Sequence, residues 1–219
     1  MSDFPKTARN KVKRIPKRGH YDKETIYKIL DSAFIAHVGF IVNGQPFVIP
    51  TAYGREGDTI YLHGATTSRM LVNLKLGIPC CLTVTHLDGL VLARSTFHHS
   101  MNYRSAVIFG RAIEVEGEEK MKALEIVTEN ILKGRWEESR KPNAKEIKAT
   151  SVLRLEIDEA SAKIRTGPPG DEKEDYDLPI WAGVIPLNHV WGTPEVDPSM
   201  KEEIETSESV INLLESQNK

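Results

Sequence analysis

A chain of 219 residues with a formal net charge of −2, 40% hydrophobic and 27% charged residues is long enough to bury a full core. That balance excludes a disordered chain and a strongly basic nucleic-acid binder, and no apolar run is long enough to span a bilayer as a helix. The two cysteines, Cys80 and Cys81, are adjacent, so a bridge between them would be strained. Two thiols in an apolar run, without a disulfide framework or a signal-peptide core, point to a reducing compartment, and the expected location is cytoplasmic.

Residues 6–18 carry Lys6, Arg9, Lys11, Lys13, Arg14, Lys17 and Arg18 with no acid among them. Such a run is either a nucleic-acid arm or a solvated arm lying across the domain or a partner subunit. Near-neutral overall charge and the lack of an aromatic before Tyr21 favour the second. Asp22 caps a helix with Ile26, Ile29, Leu30 and Ala33 at helical spacing, ending near Ser32.

From Phe34 the pattern turns to β, and the Asn43-Gly44 dipeptide between two apolar runs is the strongest hairpin signal in the chain. Phe47, Val48 and Ile49 read as a strand that breaks at Pro50 and resumes through Thr51, Ala52 and Tyr53. A turn over residues 54–58 leads to a strand over 59–63. Gly64, Ala65, Thr66 and Thr67 then feed Ser68 and Arg69 into a short helix whose apolar side is Met70, Leu71 and Leu74. Hydroxyl residues and an arginine at a helix start suit an anion such as a phosphate, because the first N–H groups lack partners. The alternative is that Thr67 or Ser68 serves only as an N-cap.

A strand over 80–85 follows, turned by Asp88-Gly89 into residues 90–93, with a loop over 95–102 and a long strand over 104–115. A helix is expected over 118–133, with Met121, Leu124, Val127 and Ile131 as its stripe and Gly134 beyond its end. Asn143 and Glu146 have capping-box spacing for a helix over Ala144–Ala149. Strands over 151–157 and 162–165, a polar Pro/Gly loop over 167–179 and an apolar return over 180–187 containing Trp181 come next. Asp197-Pro198 opens a C-terminal helix with Ile204, Val210, Ile211 and Leu214, docking loosely or on a partner. The division expected is a basic arm over 1–21, a barrel domain over 22–192 and a helical tail over 193–219.

Six or seven short strands joined mostly by hairpins, with helices inserted at intervals, predict a mainly β, α+β fold built on an antiparallel barrel. The dinucleotide fingerprint GxGxxG is absent. Four stretches taken in order, QPFVIPTAYGREGDTIYLHGATTSRML, THLDGLVLARSTFHHSMNYRSAVIFG, SAKIRTGPP and WAGVIPL, resemble the FMN-binding split-barrel family related to pyridoxamine 5'-phosphate oxidase. The likeness is nearest to the branch that includes nitroimidazole-resistance proteins.

That resemblance implies FMN in a cleft between the subunits of a homodimer. It implies the phosphate at Ser68 and Arg69, with Met70 and Leu71 as N–H donors or walls. Val48, Ile49, Pro50, Thr51 and Ala52 would run along the flavin edge. Asn102, Tyr103, Arg104 and Ser105 would form a second phosphate-side strand, with Arg104 as a further cation. His63 is either a ribityl or phosphate contact or a strand-end structural donor, and Trp181 either stacks near the flavin or is plain core. The basic and aromatic set that grips the vitamin's own phosphate in pyridoxamine phosphate oxidases is missing; residues 163–179 are largely acidic instead.

Flavin supplies hydride chemistry, so the protein has only to orient and tune it. The expected function is an oxidoreductase passing electrons from a reduced nicotinamide donor to a small acceptor such as a nitroaromatic or quinone. The rivals are a flavin carrier or sensor without turnover, and a haem-binding split barrel using His20, His37 or His189. No metal site is expected, since His98 and His99 are adjacent and no CxxC or HExxH accompanies them. Thr83, Thr85, His86 and Asp88 read as a hairpin cap.

Overall fold

The computed structural model describes residues 3–201 and 204–217. Its elements, in chain order, are β1 (Gly19–His20), α1 (Lys23–Asp31), β2 (Ile35–Val42), β3 (Gln45–Glu56), β4 (Thr59–Ala65) and α2 (Arg69–Leu74). They continue as β5 (Pro79–Leu92), β6 (Ser100–Glu114), α3 (Gly117–Ile131), α4 (Arg135–Glu138), α5 (Ala144–Ala149), β7 (Thr150–Glu156), β8 (Glu159–Arg165), β9 (Gly183–Pro186) and α6 (Glu208–Ser216).

Every strand pairing is antiparallel. The ladders β6–β7, β7–β4, β4–β3, β3–β2, β2–β5 and β5–β6 close a six-stranded ring, with β8, β1 and β9 attached outside it. Two long strands change partner part-way. β3 leaves β2 after Ala52 and joins β4 from Tyr53, and β6 passes from β8 to β7 after Phe109. This is the split barrel that the sequence predicts, and it removes most sheet edges.

Alternation along the strands sends Ala36, Val38, Ile60, Leu62, Leu82, Ile108, Leu153 and Leu155 into one core, where all are fully buried. Helix α1 adds Ile26, Ile29 and Leu30 to it, its first turn held by Asp22, whose side chain accepts from Thr25 N at 2.8 Å. Helix α2 adds Met70, Leu71 and Leu74.

The structure corrects several local readings. Strand β3 runs without a break through Pro50. Pro46 and Pro50 lie four residues apart, so their nitrogens face the same edge, and over residues 45–52 β3 pairs with β2 alone. A proline costs little on an unpartnered edge. The strand also continues through Gly54, so the turn is only at Gly57 and Asp58.

Asp88-Gly89 is not a turn. Strand β5 continues to Leu92 across a register shift between Leu87 and Gly89, and a Cβ on Gly89 would lie 2.7 Å from Ile185 O of β9. The glycine is there so that β9 can approach. Strand β6 begins at Ser100, inside the expected loop. The buried face of α3 is Lys120, Ala123 and Val127, whereas Ile131 is exposed.

Asp197-Pro198 makes a single turn, Ser199 N donating to Asp197 Oδ1 at 2.8 Å, and the C-terminal helix begins at Glu208. Residues 202 and 203, which the expected helix includes, lie outside the described residues. Ile204 is exposed and belongs to no helix.

The basic arm is folded onto the sheet. Phe4 and Asn10 are buried, Asn10 Nδ2 donates to Ala160 O at 3.0 Å, and Val12 N donates to the Tyr21 hydroxyl at 2.9 Å.

Candidate flavin-phosphate site and neighbouring cleft

Helix α2 starts where β4 ends, because the turn at Thr66 and Thr67 brings Ser68 N onto Ala65 O at 2.8 Å. Ser68 stands at the N-cap position, yet its hydroxyl accepts no bond from the helix. The N-cap alternative for Ser68 is therefore not what the structure contains. Met70 and Leu71 are buried in the core, so of the two roles expected for them only the backbone N–H groups remain available.

Arg69 is exposed, and its guanidinium lies 4.9 Å from the centre of the Phe47 ring on β3. No carboxylate pairs with it among the described residues. Phe47 is itself stacked on Phe40 at 5.7 Å, so ring and cation share one wall.

His63 on β4 precedes this junction. Its Nδ1 is buried without a hydrogen-bond partner, and burial holds the imidazole below its ordinary pKa. An orphaned ring nitrogen is the kind of atom a ligand satisfies. Val48 and Pro50 on the same stretch of β3 are exposed, while Ile49, Thr51 and Ala52 are half-buried. Together they line the edge of β3 that carries no neighbouring strand over residues 45–52. An anion at α2 and a flat ring along this open edge fit the groups present: a free cation, uncapped N–H groups and an unsatisfied histidine.

The second expected strand sits elsewhere in the protomer. Arg104 on β6 grips Asp88 with Nε at 3.0 Å and Nη2 at 2.8 Å, a forked pair that occupies its charge. Phe47 lies opposite Phe40, Phe40 opposite Cys80, and Arg104 opposite His86. Six residues of β5 therefore separate the two arginines, roughly 20 Å along the strand. Asn102 is buried, accepting from Arg165 Nη1 and donating to Gly167 O at 3.2 Å. Ser105 Oγ reaches Lys163 O at 3.4 Å, and Tyr103 is half-buried on the same strand.

Trp181 is 65% exposed, beside Gly183 of β9, so it is not core. The remaining histidines divide between jobs and free rings. His86 Nε2 is 3.0 Å from Ser32 Oγ, His99 Nδ1 accepts from Ala93 N at 3.0 Å, and His98 faces Glu172 at 3.5 Å. These contacts replace the hairpin-cap reading of His86 and Asp88. His20 pairs with Ala162 on β1, His37 is exposed on β2, and His189 is exposed beyond β9. No group of three or more His, Cys, Asp or Glu among the described residues is placed to hold a metal ion.

Sequence reasoning missed a cleft of about 900 Å³ between the Arg104–Asp88 pair and the segment 187–191. Phe34 and Trp191 stack at 6.0 Å in its wall, and His86 and His189 both reach it. Trp191 is tied to α6 by Gln217, which accepts from its N–H. No local motif announces this wall, because its parts come from distant stretches of chain.

The chain matches, over residues 22–164, the family model described as pyridoxamine 5'-phosphate oxidase. Among solved structures it is similar to the flavocytochrome Anf3 from Azotobacter vinelandii, with 43% identity and a TM-score of 0.89, covering 94% of this chain and 97% of that one. It is also similar to the FAD and haem binding protein from Mycobacterium smegmatis, with 35% identity and a TM-score of 0.86 over 90% of this chain and 97% of that one. A candidate 5-nitroimidazole antibiotic resistance protein from Bacteroides thetaiotaomicron aligns at 26% identity and a TM-score of 0.55, covering 67% of this chain and 86% of that one. No curated protein matches. No described helix is long and apolar enough to cross a membrane.

Proposed function

This chain belongs to the pyridoxamine 5'-phosphate oxidase family, and from that premise we propose that it is a flavin-dependent electron-transfer protein. The observation that carries this reading is the stretch from β4 into α2, where an orphaned His63 Nδ1, an uncapped helix start and an Arg69 without a carboxylate partner among the described residues follow one another within seven residues. When bound, the flavin supplies the hydride and single-electron chemistry. Arg69 and the N–H groups of α2 hold the phosphoryl end, the open edge of β3 offers backbone groups to the ring, and His63 donates or accepts at the ribityl side.

FMN is the cofactor that the split-barrel resemblance suggests. The relatives covering nine tenths of the chain widen this to flavins in general, since one is called a flavocytochrome and the other an FAD and haem binding protein. The donor proposed is a reduced nicotinamide and the acceptor a small molecule such as a nitroaromatic or quinone.

A homodimer with the flavin at its interface is proposed on two grounds. Ile35, Ile41 and Val48 are 51%, 61% and 67% exposed on adjoining strands, an apolar face that asks for a cover. Arg104, held away from Arg69 within a protomer, can share the same flavin only across such an interface.

Haem is a second reading, and the cleft beside Arg104 favours it. That cleft combines a stacked Phe34–Trp191 wall, a side formed by the Arg104–Asp88 pair and the exposed imidazole of His189. Its 187–191 wall lies beyond the residues that the family model matches, and both long-covering relatives are described as flavocytochrome or haem binding.

The visible spectrum of the purified protein tests both readings, a flavin giving two bands in the blue and near ultraviolet and a haem a Soret band. Anaerobic mixing with a reduced nicotinamide then distinguishes an enzyme from a passive carrier, which would not bleach. A colourless, fully folded protein that takes up neither cofactor would end the proposal.

A further inference from the structure

The basic arm has no part in the flavin-phosphate junction, yet the fold fixes it in one place. Residues 6–18 contribute seven positive charges and no negative one, so the remaining residues carry 22 cations against 31 acids, a balance of −9. A chain gains nothing in solubility by gathering its cations this way, because like charges repel. The fold nevertheless pins them: Asn10 is buried, and β1 joins the arm to β8 through Gly19 and Lys163.

Pinning creates two adjoining hollows. One, of about 330 Å³, lies between the arm and strands β6 and β8, with Lys11, Lys13, Arg14 and Lys163 around it and Phe109 and Ser161 in its wall. The other, of about 530 Å³, is lined by Lys6 and Thr7 and shares Lys11 and Lys13 with the first. Among the described residues the one acid that bonds to the arm, Glu159, is taken by Arg9 at 2.8 Å and by the Thr7 hydroxyl. Arg9 in turn covers one face of Phe109, 4.9 Å from the ring centre.

Two residues along β8 from Lys163, Arg165 is buried and, among the described residues, bonds only neutral oxygens, those of Asn102, Gly167 and Pro168. Burial and the neighbouring Arg18 both disfavour its charge, which no carboxylate offsets. A concentration of uncompensated positive charge, shaped into a hollow with an aromatic wall and hydroxyls, suits a diphosphate carrying an aromatic base.

We propose that the hollow between the arm and strands β6 and β8 binds the diphosphate of a nucleotide, Lys11, Lys13, Arg14 and Lys163 meeting the phosphates and the Phe109–Arg9 wall meeting the base. The source that fits is a reduced nicotinamide dinucleotide, because the one diphosphate of an FAD would already have its flavin-side phosphate at Arg69. Only the choice of source rests on the flavin reading; binding itself does not.

The test titrates ADP, and separately inorganic pyrophosphate, into the full chain by calorimetry, before and after stripping of any flavin. Its variant is K13E/R14E. Both residues are exposed, so the fold and the Arg69 site are left alone, and circular dichroism checks that. The expected result is ADP binding that weakens about tenfold or more in the variant and falls as salt rises from low to physiological strength. ADP that binds only the stripped protein would mean that the flavin's own diphosphate fills the hollow, which overturns the assignment to the donor. If the donor is the source, ADP binds the flavin-loaded protein too, and the variant raises the donor's KM with kcat held. Binding of equal strength in wild type and variant, or no ADP binding to either form at millimolar concentration, overturns the proposal. A colourless preparation that still binds ADP would refute the flavin reading and leave this one standing.

Discussion

Arg69 and Arg104 present the same guanidinium in opposite settings. Arg69 is exposed at the start of a helix, lies over the Phe47 ring and has no carboxylate partner among the described residues. Arg104 is forked onto Asp88 across a β-bulge, its charge already answered and its pKa raised by that bond. The first is a cation waiting for an anion; the second is part of the wall of a cleft. Residue type and spacing made them equivalent, and only their neighbours make them different.

The largest expected effect separates them directly. Arg69→Ala should cost about 2–4 kcal/mol of flavin affinity, because a charge-assisted contact is lost while the ligand's phosphate stays desolvated. The unliganded protein should lose only about 0.5–1 kcal/mol, the size of an exposed cation–ring contact. Arg104→Ala should do the reverse, lowering stability by about 1 kcal/mol, since the pair with Asp88 is about one-third exposed and screened. Its flavin retention should fall less than that of Arg69→Ala. Equilibrium dialysis of both variants, alongside urea unfolding, reads the two columns. A yellow Arg69→Ala beside a colourless Arg104→Ala would invert the comparison.

These neighbours show where the sequence was readable. The Asn43-Gly44 hairpin, the Asp22 cap and the Asn143–Glu146 capping box each depend on residues within a few positions of one another. Their geometry follows from local chemistry: Asn43 and Gly44 do take positive φ, and the capping box is complete. Asp88-Gly89 carries the same kind of local signal, yet β5 runs straight through it. Asp88 is held by Arg104 sixteen residues away, and Gly89 is required by β9, nearly a hundred residues away. The C-terminal helix likewise begins at the point where Ser209 meets Glu138, not where Asp197-Pro198 offers a start. Motif resemblance located the β4–α2 junction, but nothing in the sequence could say that Ser68 would leave the helix uncapped.

A smaller effect sharpens the Arg69 side through pH. Burial lowers the folded-state pKa of His63 below its ordinary value near 6.5. The unfolded chain therefore binds a proton more readily than the folded one. Stability is fully present above about pH 6.5 and falls as the pH drops from there towards the lowered value. His63→Gln should flatten that part of the stability–pH curve. A phosphate anion beside the imidazole favours its protonated form, so flavin loading should also flatten the curve in the wild type. Parallel curves for the loaded and stripped protein would place His63 away from the ligand and return it to a structural role.

The smallest effect is the most discriminating for Ser68. An N-cap serine whose hydroxyl accepts a helix N–H costs about 1 kcal/mol when replaced by alanine. Here the hydroxyl makes no such bond, so Ser68→Ala should leave unliganded stability within about 0.5 kcal/mol. Flavin affinity should nevertheless fall by about 0.5–1.5 kcal/mol if that hydroxyl donates to the phosphate. Loss of stability with affinity unchanged would mean that Ser68 caps the helix in solution. The first turn of α2 would then satisfy its own N–H groups, and Arg69 alone would have to hold the anion.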